Sequence, residues 1–193
     1  MNYLRIAARM QPAPSIYVDL DETLVHSLDK NNLPENLVEM IKGLEALDWG
    51  RYITLLRPGV KEFLDELSSL GDLFICTAAS RSYAVAVLSY FGLMEYFVSV
   101  YSMEDIGNDV LSQPNDFILI DNLPTMSGDV LQKLHFLGVP DYLPEGSPSQ
   151  VDFMAYYGPY HVEVSDFTGD TMDAGLQSVI PMVKQALELG ESE

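Results

Sequence analysis

The chain has 193 residues, 48% of them apolar, and 29 acids against 10 lysines and arginines for a formal charge of −19. That length suits one globular domain with a sizeable core, and no run approaches the roughly 18 apolar residues of a membrane span, so a soluble protein without a membrane partner is expected. The charge argues against nucleic-acid binding, because no Lys/Arg cluster offsets repulsion from a phosphate backbone. The first 15 residues lack the apolar core of a secretory signal, and a single cysteine, Cys76, leaves no internal disulfide and no Cys/His zinc spacing. A cytoplasmic setting follows as the expectation.

Taken in chain order, strand and helix signals alternate. Ile16, Tyr17 and Val18 form an apolar run without polar alternation, the mark of a strand buried on both faces. In residues 32–50, Leu37, Ile41, Leu44 and Leu47 recur at helical spacing, and Pro34 suits a first turn. A short strand is predicted over 51–56. Pro58 opens a helix with Val60, Phe63, Leu64 and Leu67 on one face and Gly71 as its stop. Residues 72–78 read as a second buried strand, 80–92 as a helix, 96–102 as a strand, and 115–122 as an apolar run ending in an acid. Residues 125–138 look helical, whereas 139–160 carry four prolines and five aromatics without clear periodicity. Strand alternation returns over 160–167, and a closing helix over 171–190 is expected to kink at Pro181.

This β-α alternation predicts an α/β fold, a mostly parallel sheet with helices on both faces. Ligands of such sheets sit beyond the carboxyl ends of the strands, where the chemistry-bearing residues fall: Asp19 and Asp21, Thr77, then Asp121 and Asn122. Asp19, Asp21 and Glu22 put three acids into four positions, where mutual repulsion raises the cost of ionising all of them. Asp21 and Thr23 could instead cap a following helix through their side-chain oxygens. Several carboxylates and an amide oxygen, with no histidine or thiol among them, suit a hard cation, most plausibly Mg²⁺.

Four stretches together, "VDLDETLVHS", "LLRPGVKEFLDEL", "FICTAASRSYA" and "FILIDNLP", resemble the haloacid-dehalogenase (HAD) superfamily of phosphotransferases. More closely, they are similar to the branch of the RNA polymerase C-terminal-domain phosphatases and the NLI-interacting-factor-like phosphatases, as is the ending "YHVEVSDFTGDTMDAGLQSVIPMV". The resemblance implies a HAD-like (Rossmannoid) parallel sheet in one domain spanning 1–193, with a small flap or cap over 27–56 and a Pro/aromatic-rich extra segment at 125–160. It implies an Mg²⁺-dependent phosphomonoester hydrolase acting on a phosphorylated small molecule or phosphoprotein. Asp19 would be the nucleophile that becomes an aspartyl-phosphate, and Asp21 the general acid and then base. Thr77 would hydrogen-bond the phosphate, with Leu20 and Ala78 completing its cradle. The metal would be held by Asp19, Asp21, Asp121 and Asn122, with Asn122 the usual direct ligand of its pair.

One expected part is missing. The superfamily places a Lys or Arg upstream of the strand bearing the second acidic motif, and between Arg81 and Lys133 this chain has no Lys, Arg or His. Arg81 is the nearest candidate substitute, reaching a phosphate oxygen from the head of its helix, and Lys133 a weaker one; the other reading of Arg81 is an exposed first-turn arginine paired with a surface acid. An alternative class therefore stands beside the enzyme: an inactive relative using the cleft to bind a phospho-ligand or protein. His26 is expected to pack near the flap, His135 and His161 to be structural, and Cys76 to be an inert buried thiol. Trp49, Tyr156, Tyr157 and Tyr160 either cover the site or build a satellite core.

Overall fold

The computed structural model describes residues 13–33, 42–106, 110–111, 117–140 and 150–190. Its main sheet has five parallel strands in the order β6-β5-β1-β7-β8: β1 (Ser15–Val18), β5 (Asp72–Cys76), β6 (Phe97–Tyr101), β7 (Phe117–Asp121) and β8 (His161–Glu163). β1 lies in the middle and is buried along its whole length. Its alternation serves two cores: Ile16 and Val18 pack with one apolar cluster and Tyr17 with the other. The first cluster takes in α1 (Val60–Ser68), α2 (Arg81–Tyr90) and α6 (Gly175–Gly190), and the second takes in α4 (Gly128–Phe136) and Tyr157 of α5 (Gln150–Tyr157). A single turn, α3 (Met103–Ile106), follows β6. A strand buried on both faces needs helices on both, so the expected α/β architecture is the observed one.

Register places the site. Val18 pairs with Ile75 on one side and Ile120 on the other, and the Asp19 N–H continues the ladder by donating to the Ile120 carbonyl at 2.9 Å. Asp19 therefore leaves the sheet level with Cys76 and Asp121, and Thr77 follows one residue on.

A second, antiparallel sheet in the order β2-β4-β3 carries the flap: β2 (Val25–Asp29), β3 (Ala46–Trp49) and β4 (Tyr52–Leu56). This corrects the helix predicted through Leu47. Leu47 and Trp49 pack against the main core while Asp48 between them is exposed, a period of two rather than 3.6, and Gly50 at φ +69° makes the turn into β4. Leu44, also placed on that helix, lies in a bend after Gly43 at φ +94°, while residues 34–41, including Leu37 and Ile41, lie outside the described residues. The strand predicted over 160–167 is shorter than expected. The Val164 N–H still donates to the Asp121 carbonyl at 2.9 Å, but the Phe167 N–H donates to Glu22 at 2.7 Å, so the chain leaves the sheet to cover the loop after β1. α6 runs through Pro181 as one continuous helix.

Arg57, 1% exposed, ties these parts together. It donates to both carboxylate oxygens of Asp173, at 2.9 and 3.1 Å, to the Thr23 carbonyl at 3.0 Å, and to the Ser165 carbonyl and hydroxyl at 2.8 and 3.1 Å. Its guanidinium also lies 5.6 Å from the centre of the Phe167 ring. A planar fork with five donors suits such a junction, and an ammonium would not. The clasp also explains Gly175, where a Cβ would stand 2.2 Å from Arg57 and 2.3 Å from the Ser165 hydroxyl. Arg57→Met should cost about 3–5 kcal/mol, the range for removing one partner of a buried ion pair. Urea unfolding of the variant measures this.

Candidate active site

The loop after β1 is tight. Leu24 and Val25 N–H groups both return to the Leu20 carbonyl, at 2.9 and 3.1 Å, and the Glu22 N–H donates to Val25 at 2.7 Å. Closing it puts Glu22 at φ +58°, a left-handed conformation that costs a glutamate about 1 kcal/mol or more. The Phe167 N–H to Glu22 carbonyl bond helps hold it there. This geometry turns Asp21 away from a helix-capping role, because no helix follows: Asp21 bridges to Val25 at the start of the flap.

Asp19 is 5% exposed and Asp121 fully buried, and one ammonium joins them. Lys133 Nζ donates to Asp19 Oδ1 at 2.7 Å and to Asp121 Oδ2 at 2.6 Å, with Lys133 itself 3% exposed. The cation sought upstream of β7 thus arrives from downstream, on α4. Ser127 caps α4 by accepting from the Val130 N–H at 3.2 Å, while Val130, Leu134 and Phe136 pack its face into the second core. Burial pushes the Asp19 carboxyl up to about 7, with Lys133 opposing and Asp121 reinforcing the rise. Burial also pulls on Lys133, but the two carboxylates outweigh it and hold its pKa above the ordinary lysine value.

Arg81 goes elsewhere. Its guanidinium donates to Asp105 at 2.6 Å and its backbone N–H to Glu104 at 3.0 Å, and its side chain is 48% exposed. A first-turn position at the head of α2 aims it at the acids of α3 instead of at Asp19. Thr77, 1% exposed, accepts from the Ala79 N–H at 3.1 Å, which leaves its own hydroxyl hydrogen free to donate. Ala78 and Lys133 bound a cavity of about 240 Å³ together with Met103, Ile106, Asp129 and Gln132. Leu20 is fully buried, so only its backbone can serve a ligand.

Asn122 is held at both ends of its amide: Thr23 donates to Oδ1 at 3.3 Å, and Nδ2 donates to Asp166 at 2.9 Å. Asp166 thereby turns the amide oxygen toward the loop after β1. Asp121, whose Oδ1 accepts from the Leu123 N–H at 2.9 Å, has both oxygens engaged. Among the described residues no three His, Cys, Asp or Glu side chains form a metal-holding group. The oxygens that could hold a metal have another make-up: the Asp19 and Asp121 carboxylates, the Asn122 amide oxygen and the Asp21 carbonyl. All are hard oxygens with an excess of negative charge over Lys133, which fits Mg²⁺.

Asp21 meets Tyr83, whose hydroxyl donates to Oδ1 at 2.5 Å. Burial raises the Asp21 pKa, and that hydrogen bond works against the rise. Trp49 stacks on the Tyr83 ring with centroids 5.0 Å apart. Of the other aromatics, Tyr157 is buried in the second core and Tyr160 stacks on Phe117 at 5.4 Å. His26 accompanies Glu22 at 3.0 Å and meets the edge of Phe167. Cys76 is fully buried, and burial pushes its thiol up to about 12.

The five-stranded order with a paired-aspartate loop after the central strand is the HAD hydrolase fold. Among solved structures, a haloacid dehalogenase-like family hydrolase from Xanthomonas campestris matches over 95% of this chain and 100% of its own, with a TM-score of 0.52 at 13% identity. The fission yeast RNA polymerase II CTD phosphatase Fcp1, solved with beryllium fluoride, matches 96% of this chain and 54% of its own, with a TM-score of 0.52 at 20% identity. Within that fold the chain belongs to the NLI interacting factor-like phosphatase family, whose model matches residues 14–152. A curated relative, Nuclear envelope morphology protein 1 of Saccharomyces cerevisiae, is 28% identical over 142 residues, and the match spans 59% of this chain and 32% of the relative. Among the described residues no helix is long and apolar enough to cross a membrane.

His161 beside this site supplies a test of the buried arrangement. Its Nδ1 shares a 2.8 Å hydrogen bond with the Thr125 hydroxyl, its Nε2 has no partner among the described residues, and burial pushes its pKa down to about 4. Between about pH 6.5 and 4 the unfolded chain holds the extra proton, so stability falls as pH falls through that window. His161 should cost about 2 kcal/mol on going from pH 7 to pH 5. The difference in unfolding free energy between wild type and His161→Asn, measured at both pH values, isolates that contribution.

Proposed function

We propose that this protein is an Mg²⁺-dependent phosphomonoester hydrolase working through an aspartyl-phosphate on Asp19. The observation that carries the reading is the convergence of Asp19, Asp121 and the Lys133 ammonium at the carboxyl end of the central strands. Lys133 engages Asp19 Oδ1 and so orients the carboxylate while leaving Oδ2 for attack. In the first step Asp19 forms a bond to phosphorus as the ester P–O bond breaks, and the Asp21 carboxyl gives its proton to the departing oxygen. In the second, water attacks phosphorus, its proton passes to Asp21, and the bond to Asp19 breaks to release phosphate. The Thr77 hydroxyl and the N–H groups of Leu20 and Asp21 would steady the phosphoryl oxygens. Mg²⁺, held by Asp19, Asn122 and the Asp21 carbonyl with Asp121 supporting, would screen the meeting of two anions.

The binding-only alternative drew its force from the missing cation, and Lys133 supplies one from a different helix. The substrate is a phosphorylated small molecule or protein, since the family is one of phosphatases. A formal charge of −19 disfavours carriers with further negative charge.

Hydrolysis of p-nitrophenyl phosphate tests the reading. Turnover should vanish on EDTA treatment and return with Mg²⁺, and Asp19→Asn should abolish it with the fold intact by circular dichroism; activity surviving in that variant would overturn the mechanism. For the cation, Lys133→Arg and Lys133→Met should each lower kcat/KM about a hundredfold or more, by analogy with the loss of one donor to a developing oxyanion. Arg81→Ala should stay within about twofold of wild type, because its guanidinium is occupied at Asp105.

A further inference from the structure

A general acid that becomes a base must present the same oxygen to two different partners in turn, so the direction of the Asp21 carboxyl matters as much as its position. In this structure that direction is set from the flap. The Tyr83 hydroxyl lies 2.5 Å from Asp21 Oδ1 and 3.0 Å from the Ser27 hydroxyl of β2. Ser27 in turn lies 2.7 Å from the Thr54 hydroxyl of β4, and Thr54 accepts from the Trp49 indole N–H of β3 at 3.2 Å. The same Trp49 stacks on the Tyr83 ring at an interplanar angle of 23°.

The hydrogens of this chain can be assigned from its ends. Indole nitrogen only donates, and an ionised carboxylate only accepts. Each of the three hydroxyls between them has one hydrogen. Trp49 therefore donates to Thr54, Thr54 to Ser27, Ser27 to Tyr83, and Tyr83 to Asp21 Oδ1, with no hydrogen left over and none missing. Such a run polarises in one direction and strengthens its last member. Because Oδ1 is committed as an acceptor, a proton carried by Asp21 resides on Oδ2.

We infer that Tyr83 is a positioning residue for Asp21: through the chain from Trp49, Thr54 and Ser27 it holds Oδ1 and dedicates Oδ2 to the proton exchanges of both steps. The inference rests on the hydrolase reading and adds to it a function for the flap, which orients the general acid and base. Tyr83 itself makes no bond to substrate and loses no proton.

The measurement is the leaving-group dependence of Tyr83→Phe, which keeps the ring stacked on Trp49 and deletes only the donor. Nitrophenolate departs without protonation, whereas an alkoxide needs the acid. The variant should lose at least about tenfold more kcat on glycerol 2-phosphate than in the first step with p-nitrophenyl phosphate, with KM little changed. On the aryl ester it should release a burst of nitrophenol and then slow, because hydrolysis of the aspartyl-phosphate needs Asp21 as base. Ser27→Ala, which cuts the chain one link further away, should show the same pattern at about a few-fold and serves if Tyr83→Phe does not fold. An equal loss of the first step on both esters without a burst, or a rise in KM alone, would overturn the positioning function and leave the hydrolase reading standing. A wild-type protein that turns over neither ester would overturn both.

Discussion

A single ammonium group buried between two carboxylates governs this fold. Three strand-end acids gathered in a low-dielectric edge would repel one another and resist ionisation, and burying any of them alone would cost several kcal/mol. Lys133 removes that obstacle by reaching Asp19 and Asp121 at once. It is buried on its helix together with Val130, Leu134 and Phe136, so the cation is delivered by the same helix that seals one side of the sheet. Position and packing are therefore one problem. Shifting β7 by one register would move Asp121 away from Asp19 and turn its side chain to the other face, leaving Lys133 with half its partners.

The second constraint is the narrow loop after β1. Asp19 must leave the sheet, Asp21 must project from it, and the chain must turn into the flap within a few residues. The left-handed Glu22 is the local cost of that turn, and it is held from outside by two buried contacts. Arg57 reaches the Thr23 carbonyl from the end of β4, and the stretch after β8 bonds the Glu22 carbonyl. Arg57 also anchors Asp173 just ahead of α6, so the strained loop, the flap and the C-terminal helix are joined through one guanidinium. Strain in a tight loop persists when the surroundings over-determine it, and the Arg57 contacts do so here.

The flap follows the same logic with hydroxyls in place of charges. Ser27, Thr54 and Trp49 sit on three different strands, yet antiparallel register brings them to one face, where they meet Tyr83 from α2. A flap tied in this way to the carboxylate beneath it can influence chemistry without contributing a group to the reacting atoms. The acids of α3 act as a counterweight on the other side, drawing Arg81 to Asp105 and away from the cleft.

The sequence by itself determined the strand order's raw materials: unbroken apolar runs that must be buried on both faces, helices with one apolar face, and acids placed where those runs end. Periodicity and the ends of strands are local properties, so Asp19, Asp21, Thr77, Asp121 and Asn122 were legible as a group before any coordinates. Leu47 misled because a spacing of three or four residues suits a helix while Leu47 and Trp49 also satisfy a strand, and the choice between them was made by β4 alongside. Lys133 and Arg57 were decided by tertiary structure alone. Lys133 lies 114 residues from Asp19 in sequence, and although its spacing from Val130 and Leu137 puts it on the apolar face of its helix, nothing local says which acids it meets there. Arg81, four residues after Thr77, is near in sequence but faces α3. Which cation is buried and which is solvated depends on the direction each helix enters from the sheet, and that direction is set by packing across the whole core rather than by any neighbour in the chain.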